Sequence, residues 1–164
     1  MITKEAVFDE IARERGGVAE IYSAFGDIPN LVKAHFELNK ALMLLDDLPI
    51  SRIEREWLAM ETSRANRCRY ALAHHKVAYE NHAKGKSKNE LPSPARLRLL
   101  SKLAATLTKH ANKTPSLRKE FLKTGFTEAE WLHGIKIVSY FNFTNRLALA
   151  LNLQLEKDSI STCR

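Results

Sequence analysis

Residues Glu56 to His75 read EWLAMETSRANRCRYALAHH, a run that sets a carboxylate, a thiol and two imidazoles at helical spacing. Cys68, Ala71 and His75 follow one another at intervals of three and four, the repeat that stacks side chains on one face of an α-helix. A thiol and an imidazole are therefore expected to face one pocket. Just upstream, Ser51-Arg52-Ile53-Glu54 is a capping box, and Ile53, Trp57 and Met60 continue from it as an apolar stripe. Glu56 then brings a carboxylate from the neighbouring helix.

Helical signals extend in both directions. Residues 3 to 14 read as a lightly amphipathic helix stopped by Gly16-Gly17. Gly26 to Pro29 reads as a turn, after which Asn30 caps a helix with the stripe Leu31, Ala34, His35, Leu38, Leu42 and Leu45. Asp46-Asp47-Leu48-Pro49 ends it. Beyond His75 the helix runs to about Gly85, and Ser93-Pro94 opens another with Leu97, Leu100, Leu103, Ala104 and Leu107 on one face. A shorter helix from Ser116 to Thr124 stops at Gly125. Thr127 and Glu130 form a second capping box, starting a helix to about Leu155 with Leu132, Ile135, Val138, Phe141 and Leu149 inside. No segment alternates with period two over strand length. The expected fold is all-α, with six or seven helices in a single domain over residues 1–164.

With 164 residues and 45% apolar side chains, one domain can bury roughly two-thirds of its unfolded surface. Two cysteines, at 68 and 163, are too few for a disulfide framework, and the opening MITKEAVFDEIARERGG is charged with no apolar signal region. The longest apolar run, Ala41 to Leu45, is far short of a membrane span. A soluble cytoplasmic protein is expected, with no membrane partner. Net charge is +7, yet 26 basic residues are scattered among 19 acidic ones. The densest basic cluster, Lys84 to Lys88 with Arg96 and Arg98 beyond, surrounds the loop KGKSKNELPSP and has no aromatic residue on which a base could stack. No nucleic-acid partner is expected.

A thiol reacts as its thiolate, so a useful cysteine needs a lowered pKa. Asn66 is placed to cap a new helical segment, putting Cys68 in its first turn, and Arg64, Arg67 and Arg69 are close in sequence. These features would bring the thiol below its free value of about 8.5. An ordinary buried cysteine would shift the other way. His75 can take and return a proton near neutral pH. Glu56, read without further context, stands as a solvated carboxylate paired with Arg52. Tyr70 neighbours the thiol and fits pocket or core equally, whereas His74 points about 100° away, toward surface or interface. His75, Tyr79 and His82 share a face but lack a carboxylate in register, so neither a metal nor another cofactor is expected.

Glu56, then Cys68-Arg69-Tyr70-Ala71, then His75 resembles the active-site segment of the AhpD-like, or carboxymuconolactone decarboxylase, family of small helical proteins. Thr124-Gly125-Phe126-Thr127 and Asn145-Arg146-Leu147-Ala148-Leu149-Ala150-Leu151 resemble the closing segment of its peroxidase-related branch. The family text is a Glu ahead of C-x-x-C and a His four residues beyond the second cysteine; here Ala71 stands at the second cysteine. In redox-active relatives that second cysteine generally meets peroxide and the first resolves it, a cycle this chain cannot run.

The resemblance implies an alkylhydroperoxidase-like antioxidant enzyme, with Cys68 as the remaining redox thiol, His75 its base and Glu56 supporting His75. A hydroperoxide would be the substrate and an external thiol the reductant. Ala71 also fits a disarmed site, or an acid-base enzyme using Glu56 and His75, since the family's decarboxylases use no thiol redox. A basic helical binding module without catalysis is the alternative from charge alone. The last helix is apolar on more than one face, which with the resemblance implies a homo-oligomer: dimer, trimer or hexamer.

Overall fold

Helix starts lie where side chains can serve the free amides of a first turn. In the computed structural model, which describes residues 2–25 and 28–156, the Oγ atoms of Ser51, Ser93 and Thr127 each accept from the amide three residues on. They open α4 (Arg52–Ala65), α6 (Pro94–Lys109) and α8 (Glu128–Ala150). At Thr127 the Glu130 carboxylate also reaches back to the cap amide, completing the capping box. Around these run α1 (Lys4–Arg15), α2 (Glu20–Ser23), α3 (Pro29–Asn39), α5 (Arg69–Ala83) and α7 (Arg118–Lys123). A π-helical turn, Lys40–Leu44, extends α3, and a 3₁₀ segment, Ala111–Leu117, leads into α7. The described residues contain no strand, and none of their helices is long and apolar enough to cross a membrane.

Two apolar clusters organise the packing. Leu58 and Ala59 of α4, Leu100, Leu103 and Ala104 of α6, and Ile137, Val138 and Phe141 of α8 form the larger. Gly134 lets α8 sit tight there: a Cβ at this position would lie 3.0 Å from Leu103 Cδ2. Val7 and Ile11 of α1, Tyr22 and Phe25 around α2, and Val32 and Phe36 of α3 form the smaller. Polar pins cross the layers. Arg96 Nε lies 2.6 Å from Glu54 Oε1 and its Nη2 2.5 Å from Glu130 Oε1, while its guanidinium stacks 3.7 Å over Phe126. His133 is buried as a spacer: its Nδ1 accepts from the Ile50 amide, so Nε2 donates to Leu42 O at 3.0 Å.

Several sequence expectations are revised. The short α2 has no counterpart in them, and α3 starts from Ile28 with Pro29 at its first position, so Asn30 lies inside the helix rather than capping it. Of the expected α3 stripe, His35 and Leu42 are buried but Leu31, Leu38 and Leu45 are exposed, and Val32, Phe36, Asn39 and Met43 are buried instead. On α8, Leu132 and Leu149 face outward as well. That helix ends at Ala150 rather than Leu155, because Asn152 turns left-handed (φ 50°) and the Leu153 and Asn152 amides return to Ala148 O and Leu149 O.

Candidate active site

The α4–α5 junction sets the geometry. Arg67 adopts φ 58°, its amide bonds Arg64 O and the Cys68 amide bonds Ser63 O, the double closure of a Schellman turn made without glycine. Asn66 therefore terminates α4 instead of capping α5, and Cys68 itself is the N-cap, with extended dihedrals (φ −86°, ψ 95°). Helical periodicity starts only at Arg69. From there Tyr70, Ala71, His74, His75 and Ala78 line a cavity of about 70 Å³, room for several waters.

Glu56 is 2% exposed and is held from two sides: its Oε2 lies 2.7 Å from His75 Nδ1 and its Oε1 accepts from Arg52 Nε at 2.9 Å. Both partners proposed for it from sequence are therefore present at once, and the solvated alternative is excluded. Burial would raise this carboxyl, but the contacts with His75 and Arg52 outweigh it and hold it at about 2. The ionised carboxylate accepts from Nδ1–H, and among the described residues nothing hydrogen-bonds to His75 Nε2. The His75 ring packs edge-on against Phe141 at 4.5 Å.

Cys68 does not share this cavity. It is 1% exposed and packs with Tyr70, Ala71 and Ala148, flanked by Ile21 and Leu153. Burial raises its thiol; the Tyr70 and Ala71 amides oppose this from the helix start without making a capping bond. No arginine contributes, because Arg64, Arg67 and Arg69 are exposed and Arg64 pairs with Glu61. The expected lowering of the thiol pKa is thus reversed in sign. Cys163 lies outside the described residues.

His74, expected at the surface, lines the cavity instead, its ring 4.6 Å from Tyr70. The helical repeat it shares with Ala71, His75 and Ala78 puts it there, and Glu156 secures it. After the α8 stop the chain doubles back, and this carboxylate accepts from the Tyr70 hydroxyl at 2.9 Å and the Glu20 amide at 2.6 Å and meets His74 Nε2 at 3.0 Å. Burial lowers the His74 pKa against the opposing pull of Glu156. Tyr70 is raised by burial, with Glu156 adding to it, and its oxygen accepts from the Ile21 amide at 3.1 Å.

The rest of the lining comes from elements remote in sequence: Arg15, Tyr22, His35 and Asn39, with Tyr140, Phe141, Thr144 and Asn145 of α8. Burial, with the Arg15 charge adding, lowers His35 to about 4, so this imidazole is neutral. Among the described residues no group of three His, Cys, Asp or Glu is placed to hold a metal ion. His82 points its Nε2 into a buried position without a partner, and Tyr79 packs on Trp57.

No protein-family model and no curated protein matches the sequence. Solved structures match the fold. An uncharacterized peroxidase-related protein from Silicibacter sp. TM1040, 23% identical, superposes with a TM-score of 0.81 over 98% of this chain and 88% of its own. The alkylhydroperoxidase AhpD core of an uncharacterized peroxidase-related protein from Ralstonia eutropha JMP134, 20% identical, gives 0.80 over 100% and 97%. The debrominase Bmp8, 19% identical, gives 0.72 over 97% and 89%. The chain has the all-helical fold of the AhpD core.

Proposed function

We propose that this protein is an AhpD-fold enzyme that moves protons on a small organic substrate in the cavity, with His75 as base and acid and Glu56 as the residue that positions it. The carrying observation is the 2.7 Å contact between Glu56 and His75 Nδ1 on the cavity wall. It fixes one tautomer and presents Nε2, the arrangement a general base requires. In this reading Nε2 removes a proton next to a carbonyl, or, after a substrate carboxylate leaves as CO₂, the imidazolium protonates the carbanion and recovers its proton from water. Apolar walls such as Phe141 and Ala148 keep competing water out. Small keto acids and lactones incubated in D₂O and followed by ¹H NMR test it. Deuterium incorporation, or CO₂ loss, should vanish in His75→Gln and persist in Cys68→Ser; the opposite pattern would remove the proposal.

A second reading is favoured by the likeness to the AhpD core and to a peroxidase-related protein, and by the Tyr70 and Ala71 amides near the thiol. The Cys68 thiolate would attack the distal oxygen of a hydroperoxide, giving a sulfenic acid and, after protonation by His75, an alcohol. Two equivalents of an external thiol would then restore Cys68, releasing water and a disulfide. Burial of Cys68 outside the cavity weighs against it. Peroxide consumption that Cys68→Ser abolishes would establish it over the first reading. The fold itself does not choose, since a debrominase shares it.

We further propose that the chain self-associates through its outward apolar residues, Leu31 and Leu38 on α3 and Leu132, Phe143 and Leu149 on α8, all exposed in the single chain. Light scattering at micromolar concentration should give a multiple of 18.7 kDa, and a monomer mass would refute it.

A further inference from the structure

Among the described residues, the charged side chains lining the cavity are Arg15, Arg52 and Glu56. Arg52 and Glu56 pair, which leaves Arg15 as the cation to account for. Among the described residues Arg15 meets no carboxylate. Its Nη1 donates to Asn39 Oδ1 at 2.7 Å, the Tyr22 hydroxyl is its other side-chain partner, and Nε is buried with no partner. Neutral acceptors leave unused the planar fork with which a guanidinium suits a carboxylate. A second orphan lies beside it. His35, 5% exposed, has its Nε2 at Tyr140, 3.3 Å away, while its Nδ1 is buried without a partner. The lining also includes the apolar side chains of Met43 and Phe141.

We infer that the cavity is a binding site for a small organic monocarboxylate with a short apolar body, its carboxylate paired with Arg15 and supported by His35. This rests on the proton-transfer reading only for the consequence that the substrate's reacting carbon lies toward His75; the anion site stands on Arg15 and His35 alone.

The test uses butyrate and its neutral isostere butyramide, titrated into the full chain at pH 7 by calorimetry, with the His35 ring followed by NMR. Butyrate should bind at least about ten-fold more tightly than butyramide and move the His35 signals. Arg15→Gln should weaken butyrate about ten-fold or more, toward the amide. Arg15→Lys should retain part of the preference, which covers the case in which Arg15→Gln does not fold. Butyrate binding should survive His75→Gln, so failure of the catalytic reading leaves this result untouched. Equal binding of acid and amide, no butyrate binding, unchanged affinity in a folded Arg15→Gln, or binding that leaves His35 unmoved would each overturn the inference.

Discussion

Replacing Glu56 by Gln isolates the charge at the centre of the site while keeping its shape. The amide oxygen can still accept from His75 Nδ1 or Arg52 Nε, so packing is preserved and the negative charge is lost. A carboxyl held at about 2 against an ordinary 4.5 corresponds to about 3 kcal/mol of native-state stabilisation. For a chain of 164 residues that is a fall of about 6–12 °C in melting temperature near neutral pH. The sign follows from the direction of the shift. Because the folded value lies below the unfolded one, the contribution is complete above about pH 5 and is lost as pH falls through about 2. Thermal melts of both proteins at pH 7, 4 and 2.5 should therefore show a gap that is widest at pH 7 and narrows in acid. Other acid-titrating groups, such as Glu130 and Glu156, are common to both chains and largely cancel in the difference. Equal melting temperatures at pH 7, or a gap independent of pH, would refute the charge network as the source of the Glu56 shift.

In a Cys163→Ser background, Cys68 should alkylate slowly below about pH 9, with no acceleration from His75, because burial raises the thiol; an inflection below 8 that moves in His75→Ala would contradict this. Ala71→Cys should add a thiol that reacts readily with iodoacetamide, since position 71 lines the cavity; labelling no faster than Cys68 would show that the cavity is closed to reagents. Glu156→Gln should move the His74 titration, followed by ring NMR, to lower pH, because Glu156 is the main influence raising it against burial; no movement would mean that Glu156 does not hold His74 in solution. Arg96→Met should destabilise by about 2–4 kcal/mol in urea unfolding, leaving the buried Glu54 and the half-buried Glu130 without their shared partner; a loss under about 0.5 kcal/mol would assign the pair no structural weight.

Three of the helix starts were legible because their cause is local. Ser51, Ser93 and Thr127 cap from within four residues, and each structure-defined start falls one residue later. Helix faces were harder. On α3 both Leu31-Leu38-Leu45 and Val32-Phe36-Met43 make plausible stripes, and periodicity cannot say which one meets the core. The π-helical turn at Lys40–Leu44 further shifts the register. Of the site, Glu56 and His75 could be read because one helix hairpin brings them together. Arg15, His35 and Tyr140 could not, since they meet only through the packing of α1, α3 and α8. Nor could Glu156, which reaches His74 after a left-handed turn at an asparagine.

The misplacement of Cys68 has the same physical root and bears directly on chemistry. A helical wheel puts residues 68, 71 and 75 in line, but the wheel applies only where dihedrals are helical. With ψ at 95°, Cys68 stands one residue before the regular α5, and its side chain leaves the cavity face for the small cluster beneath Ile21 and Leu153. Residues 71, 74, 75 and 78 keep the helical repeat and all reach the cavity. Any side-chain chemistry at this end of α5 is therefore governed by position 71 more than by position 68. With Ala71 there, the groups lining the cavity include the His75 imidazole, its Glu56 partner and the cation of Arg15, the set on which the proposed proton transfer and anion binding rest.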